Sequence, residues 1–222
     1  METRGKEHLR VGKDFTGEEA RERELTVQEK SLIRKKIQEK YVLVAKSPKG
    51  CFNFPTGEKG LKKLEYATKI TRDFPEPVLQ SFCGVGNPFN AGPIHQGEDI
   101  LDIGCGAGFD AFVAAKITGP RGRVIGLDVT EEMIEKANEN LILLGLNNVS
   151  FEKGEAEELP FQDELFDVVI SNGAFNLTLD KDKALKEAFR VIKPKGRLMI
   201  ADMVLVSPLP PERAGKIENW YQ

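Results

Sequence analysis

"ILDIGCGAGFDAFVAAK", residues 100–116, sets Gly104, Gly106 and Gly108 at alternate positions between an apolar run and an Ala-rich run. The apolar run has the length of a buried strand and the Ala-rich run reads as a helix, so the glycines occupy a strand-to-helix turn. Glycine suits such a turn because it adopts left-handed backbone and leaves no Cβ between the main chain and an approaching ligand. Downstream, strand-like and helix-like runs alternate: "GRVIGLD" (122–128), "TEEMIEKANENLILLG" (130–145), "VSFEKG" (149–154), "FDVVISN" (166–172), "DKDKALKEAFRVI" (180–192) and "GRLMIADMVLV" (196–206). Apolar strands separated by helices predict an α/β fold, a doubly wound and mostly parallel sheet with helices on both faces.

In such a sheet the ligand crevice lies at the strand ends, where the glycine turn falls. Dinucleotide enzymes favour G-x-G-x-x-G, whose helix N-terminus holds a pyrophosphate. Here the pattern is D-x-G-x-G-x-G, opening with Asp102 in the strand end. A carboxylate there is poorly suited to a pyrophosphate and well suited to a cationic ammonium group. Asp128 ends the second strand 24 residues beyond Gly104, near the spacing at which a carboxylate accepts from ribose hydroxyls. A nucleoside is therefore expected. After the third strand, "KGEAEELPF" offers the Glu155 carboxylate to an adenine amino group and the Ala156 backbone N–H to the ring, and Asn172 ends the fourth strand beside the same crevice.

The remaining composition narrows the classes. The 222 residues carry a net charge of −3, with no basic stripe, so no nucleic-acid partner is expected. Three cysteines without CxxC spacing and two histidines predict no metal site and a reduced, cytoplasmic setting. No run approaches the ~18 apolar residues of a membrane span. Residues 1–25 read as a mobile arm and 26–98 as an N-terminal helix with a loop-rich cap. Residues 99–222 read as the ligand-binding domain. In the cap, Val27, Leu32, Ile33, Ile37, Tyr41 and Val44 fall near helical spacing, with Thr26 as N-cap and Glu29 completing a capping box. Residues 47–98, rich in Gly, Pro and aromatics, predict loops with one short helix near Leu61–Tyr66. Phe52, Phe54, Phe82 and Phe89 fit either an aromatic lid or a satellite core. Cys105 reads as a small residue between glycines, Cys51 and Cys83 as ordinary loop or core residues, His95 as a surface loop residue, and Glu131 and Glu132 as a helix start.

The motifs "LDIGCGAG", "VIGLDVTEEMIEKA", "GEAEELPF", "FDVVISN" and "EAFRVIKPKGRLMIAD" stand in the order and spacing of the class I S-adenosylmethionine-dependent methyltransferases, which the chain resembles over about residues 99–206. Through "GAGFDAFVAAKITGPRGRVIGLDVT" and "VGNPF" it is most similar to the arsenite methyltransferase-like branch, with quinone-biosynthesis C-methyltransferases the nearest other branch. The resemblance implies a sheet of order 3-2-1-4-5, S-adenosylmethionine as cofactor with S-adenosylhomocysteine as product, and a small-molecule methyl acceptor. It places Gly104, Cys105 and Gly106 on the methionine part, Asp128 on the ribose, Val129, Glu155 and Ala156 around the adenine, and Asn172 near the amino group. It implies direct displacement at the sulfonium methyl, driven by alignment and exclusion of water, and names no dedicated catalytic base.

The chain departs from the family at two places. Arsenite methyltransferases carry thiolate ligands in a loop before the first motif and just after the fourth strand, whereas this sequence has Val85 and Gly173 there, with Cys83 two residues from the first position. A family domain also continues into two terminal antiparallel strands, whereas "SPLPPERAGKIENWYQ" after Val206 reads as loop and short helix. The expectation is a C-terminally short sheet whose open edge invites self-association. The reading is a small-molecule methyltransferase. Its alternatives are an arsenite methyltransferase proper, a non-catalytic S-adenosylmethionine-binding module, and an NAD-dependent oxidoreductase, the last disfavoured by Asp102 and by the absence of a Tyr-x-x-x-Lys.

Overall fold

The computed structural model describes residues 25–204. The expectations for the arm up to residue 24 and for the segment after Val206, including the missing terminal strands and the open edge, lie outside the described residues.

Five strands, β1 (Asp99–Ile103), β2 (Arg123–Asp128), β3 (Val149–Lys153), β4 (Phe166–Asn172) and β5 (Ile192–Ala201), form one all-parallel sheet of order β3-β2-β1-β4-β5. This is the order 3-2-1-4-5 that the resemblance of the motifs implies. β1 is central, with Asp102 in register with Gly126 of β2 and Ile170 of β4.

Strand alternation sorts the core into two layers. Ile100, Val124, Val168 and Ile170 pack with α5 (Phe109–Thr118), most of which is buried. Leu101, Ile103, Ile125, Leu127 and Val169 pack with Ala184, Ala188 and Val191 of α7 (Lys181–Val191). The third sheet helix, α6 (Glu131–Leu144), follows β2 and starts at the glutamates read as a helix start. β5 begins at Ile192, four residues before the "GRLMI" run that announced it. Ile192 already pairs with Phe166, and a register shift follows before Arg197 pairs with Val168.

The cap contains α1 (Val27–Lys46), α2 (Gly57–Lys63), α3 (Thr68–Thr71) and α4 (Glu76–Gln80). The predicted capping box is present: Glu29 N–H donates to Thr26 Oγ1 at 3.2 Å, and Thr26 N–H donates to Glu29 Oε2 at 2.9 Å. Ile33, Ile37 and Val44 form the buried stripe, while Val27, 85% exposed, and Leu32 fall off it. The predicted short helix is α2. Two further one-turn helices stand where loops were expected; α4 starts behind Pro75, with Pro77 in its first turn where a missing N–H costs nothing.

Candidate functional site

At the carboxyl ends of the strands lies a cavity of about 1070 Å³. Its floor is the turn between β1 and α5. Gly104, Gly106 and Gly108 all have positive φ, at 72°, 52° and 87°. Gly104 N–H and Cys105 N–H both donate to Leu127 O, at 2.8 and 3.0 Å, which ties the turn to β2. The three glycines serve different ends. A Cβ on Gly104 would meet the Ala174 Cβ at 2.2 Å, and one on Gly108 the Phe151 ring at 2.6 Å, so both are required by packing. A Cβ on Gly106 would meet nothing within 4 Å, and Gly106 lines the cavity. That is the place where the backbone is left open to a ligand.

Each residue expected to bind the cofactor lines this cavity: Asp102, Gly104, Cys105, Gly106, Asp128, Val129, Glu155, Ala156 and Asn172. Asp128 accepts from Gly106 N–H through Oδ2 and from Thr130 N–H through Oδ1, each at 2.9 Å. Those two bonds, with further ones from the Thr130 side chain and the Val129 backbone, fix the carboxylate. Asp102 is 1% exposed, and its Oδ2 has no hydrogen-bond partner. A buried acceptor without a donor costs free energy that an entering N–H group would recover. Burial, with Asp110 and Asp128 close by, raises the Asp102 carboxyl well above its ordinary range. Glu155 accepts from Arg34 of α1 at 3.3 Å, which ties α1 to the Glu155 side of the crevice.

Asn172 reaches the crevice, and its amide is engaged throughout. Oδ1 accepts from Val85 N–H and Gly86 N–H at 2.9 and 3.0 Å, and Nδ2 donates to Gly86 O and Asp110 Oδ2 at 2.9 Å. Tyr66 O–H donates to Asp110 Oδ1 at 2.6 Å. Asn172 is thus the tie between the end of β4 and the 84–86 loop. Sequence reading missed Asp110 and Tyr66. Asp110 stands two residues past Gly108 in the opening motif, and an acidic residue inside a nearly all-buried helix was the signal available. Its carboxyl is pushed up to about 6 by burial, with the bonds from Tyr66 and Asn172 working against that rise.

The wall opposite the glycine turn comes from the cap. Phe52 and Phe54 stack with centroids 4.9 Å apart, Tyr41 is tilted against Phe52, and all three line the cavity with Cys83 and Val85. The four phenylalanines left open between lid and core therefore divide. Phe82 is 2% exposed and packs edge-on against Phe109 in the core cluster, where Phe89 joins it, and its ring reaches the edge of the cavity. Phe52 and Phe54 face the cavity. Val85 abuts Gly173, whose φ is 78°, and a Cβ there would meet Val85 Cγ2 at 3.2 Å. Burial pushes the Cys83 thiol up to about 12, so it is held protonated. Cys105 is buried and fills space, and His95 is exposed outside the cavity, both as expected. No group of three or more metal-ligating side chains occurs among the described residues. No helix among them is long and apolar enough to cross a membrane.

The residues fit a nucleoside that carries an ammonium group: a cavity-lining aspartate keeps a buried carboxylate oxygen without a donor, a neighbouring glycine has open space, and a second carboxylate lines the same cavity.

Comparison with known proteins agrees with this geometry. A family described as "Methyltransferase domain" matches residues 94–222. An arsenite methyltransferase of Halobacterium salinarum is 40% identical over 161 residues, covering 72% of this chain and 41% of that protein. A ubiquinone/menaquinone biosynthesis C-methyltransferase of Pasteurella multocida is 39% identical over 132 residues, covering 58% of this chain and 47% of that one. The crystal structure of an arsenic(III) S-adenosylmethionine methyltransferase from Chlamydomonas reinhardtii superposes with a TM-score of 0.60 at 36% identity, over 65% of this chain and 50% of that one. The chain spans less than half the length of these two curated relatives.

Proposed function

The chain belongs to the class I S-adenosylmethionine-dependent methyltransferases, in their arsenite methyltransferase-like branch, and from that premise we propose that it methylates a small organic molecule by direct displacement. The observation that carries the reading is a cavity-lining Asp102 with an unpartnered buried oxygen, on the same wall as the open face of Gly106. When bound, the cofactor supplies an electrophilic methyl group on a sulfonium. In this reading Asp102 and the 104–106 turn hold its methionine part, and Asp128 accepts from the ribose hydroxyls. Val129, Glu155 and Ala156 surround the adenine. Asn172 acts through the 84–86 loop that it fixes. The cap completes the site: Tyr41, Phe52, Phe54 and Val85 exclude water from the acceptor end and align what binds there. No side chain is assigned as a general base, and a cytoplasmic setting belongs to the same proposal.

Arsenite is the second reading, favoured by the names of the relatives and by Cys83 in the cavity wall. Against it, Val85 and Gly173 stand in contact where thiolate ligands would be needed, and a thiol buried in its protonated form is a weak ligand for a soft ion. The test is transfer of labelled methyl from S-adenosylmethionine to a panel of small organic acceptors, with arsenite and glutathione as a separate arm. Label in an organic product with none in arsenic supports the proposal. Label in arsenic alone reverses the choice of acceptor, and no transfer above a boiled control in any arm overturns the activity.

A further inference from the structure

Three carboxylates are buried together under the cavity: Asp102 on β1 at 1% exposure, Asp110 on α5 at 7% and Asp128 on β2 at 9%. No ion pair among the described residues reaches any of them. Among the described residues, the groups that face them are neutral or acidic. Tyr66, after α2, and Asn172, on β4, donate to Asp110; Cys105 lies in the turn above Asp102; Cys83 and Tyr41 of α1 approach Asp128. Lys40 of α1 lies over the Phe52 ring at 4.8 Å and acts on Cys51 and Cys83 instead.

Three negative charges cannot all be sustained in so small a volume without a cation, because each is desolvated and each repels the others. Asp128 is the best supplied, with backbone donors on both oxygens. Asp110 accepts two side-chain hydrogen bonds. Asp102, which lines the cavity, keeps one buried oxygen with no donor at all. The pair with the greatest need of a proton is therefore Asp102 with Asp110. Burial raises both carboxyls, and repulsion from Asp110 and Asp128 adds to the rise at Asp102.

Resting on the cofactor reading above, we propose that Asp102 and Asp110 share a proton in the free protein and expel it to solvent when an aliphatic ammonium group enters beside Asp102. The ammonium replaces the proton as the neutralising charge: the pair goes from one negative charge to two, the ligand brings one positive charge, and the displaced proton is taken up by buffer. Ligand binding at this site is then proton-linked, and its affinity falls as the solution becomes acidic.

The experiment compares two nucleosides that differ in the ammonium. S-adenosylhomocysteine carries it, and 5′-methylthioadenosine has the same adenosine and thioether without it. Each is titrated calorimetrically into the full chain between about pH 5 and 7, where the ligand ammonium stays charged, in buffers of different ionisation heat. The expected result is release of close to one proton with S-adenosylhomocysteine at the acid end, and an affinity that rises by up to about tenfold per pH unit. 5′-Methylthioadenosine should release none and show a flat profile. Asp110→Asn, which keeps an oxygen to accept from Tyr66, should flatten the S-adenosylhomocysteine profile, with a thermal melt reporting the fold. If that variant fails to fold, the two nucleosides on the natural chain decide the matter alone. Binding of both with the same pH profile overturns the proton coupling while leaving the cofactor reading intact. Binding of neither overturns both.

Discussion

Gly106→Ala separates folding from ligand binding in a way its neighbours cannot. At Gly104 an added Cβ would sit 2.2 Å from the Ala174 Cβ, a clash that must move β4's following turn. At Gly106 the same atom would meet nothing within 4 Å, so the stability cost is only that of holding alanine at a φ of 52°. That cost is about 1–2 kcal/mol. The new methyl group nonetheless stands in the space through which a ligand reaches the turn. A ligand atom in contact with that backbone must retreat by about the width of a methyl group, beyond hydrogen-bonding distance. Loss of two such bonds at about 1–1.5 kcal/mol each weakens binding by roughly 100-fold. Urea denaturation of the Gly106→Ala and Gly104→Ala variants, with calorimetric titration of S-adenosylhomocysteine, reads both quantities. The expected pattern is a small stability loss with a large affinity loss for Gly106→Ala, and a larger stability loss for Gly104→Ala. Undiminished affinity in a folded Gly106→Ala protein would refute the assignment of the open glycine face to the ligand.

Asn172→Ala should strip the partners from Val85 N–H, Gly86 N–H and Asp110 Oδ2 together; the expected loss is about 3–5 kcal/mol, and hydrogen exchange should show lost protection at Val85 and Gly86, whereas unchanged protection there contradicts the role of a tie. Folding raises the Asp110 carboxyl from its ordinary 3.8 to about 6, so the folded chain binds the extra proton. This contribution is full below the ordinary value and is lost as pH rises through about 6, by up to about 3 kcal/mol; Asp110→Asn should remove that slope from stability curves measured across the window, and an unchanged slope counts against it. Arg34→Ala should change stability by no more than about 0.5 kcal/mol, because Arg34 and Glu155 are 57% and 47% exposed; a loss several times larger in a thermal melt would show that α1 depends on this pair.

The sheet was readable because its strands are short apolar runs separated by helices of a different period, and parallel pairing follows from that alternation, whereas the strand order came from the resemblance of the motifs. The ligand end was readable where one side chain performs one task in place: Asp102 closing β1, Asp128 closing β2, and glycines where φ is positive. Less was legible where the task is shared across the chain. Asp110 looks like any polar residue in a helix until Tyr66, 44 positions earlier, and Asn172, 62 later, are brought to its two oxygens. The split of the phenylalanines, with Phe82 in the core and Phe52 at the cavity, depends on how the cap folds back, and composition carries no record of that. The short helices α3 and α4 hold too few residues for a period to show.

The central claim is tested most directly by calorimetric titration of the purified protein with S-adenosylhomocysteine, with NADH and the Asp128→Ala variant as controls. The account predicts micromolar binding of S-adenosylhomocysteine, none of NADH, and loss of binding in Asp128→Ala. Failure of the natural chain to bind S-adenosylhomocysteine, or equal binding of NADH, would contradict it.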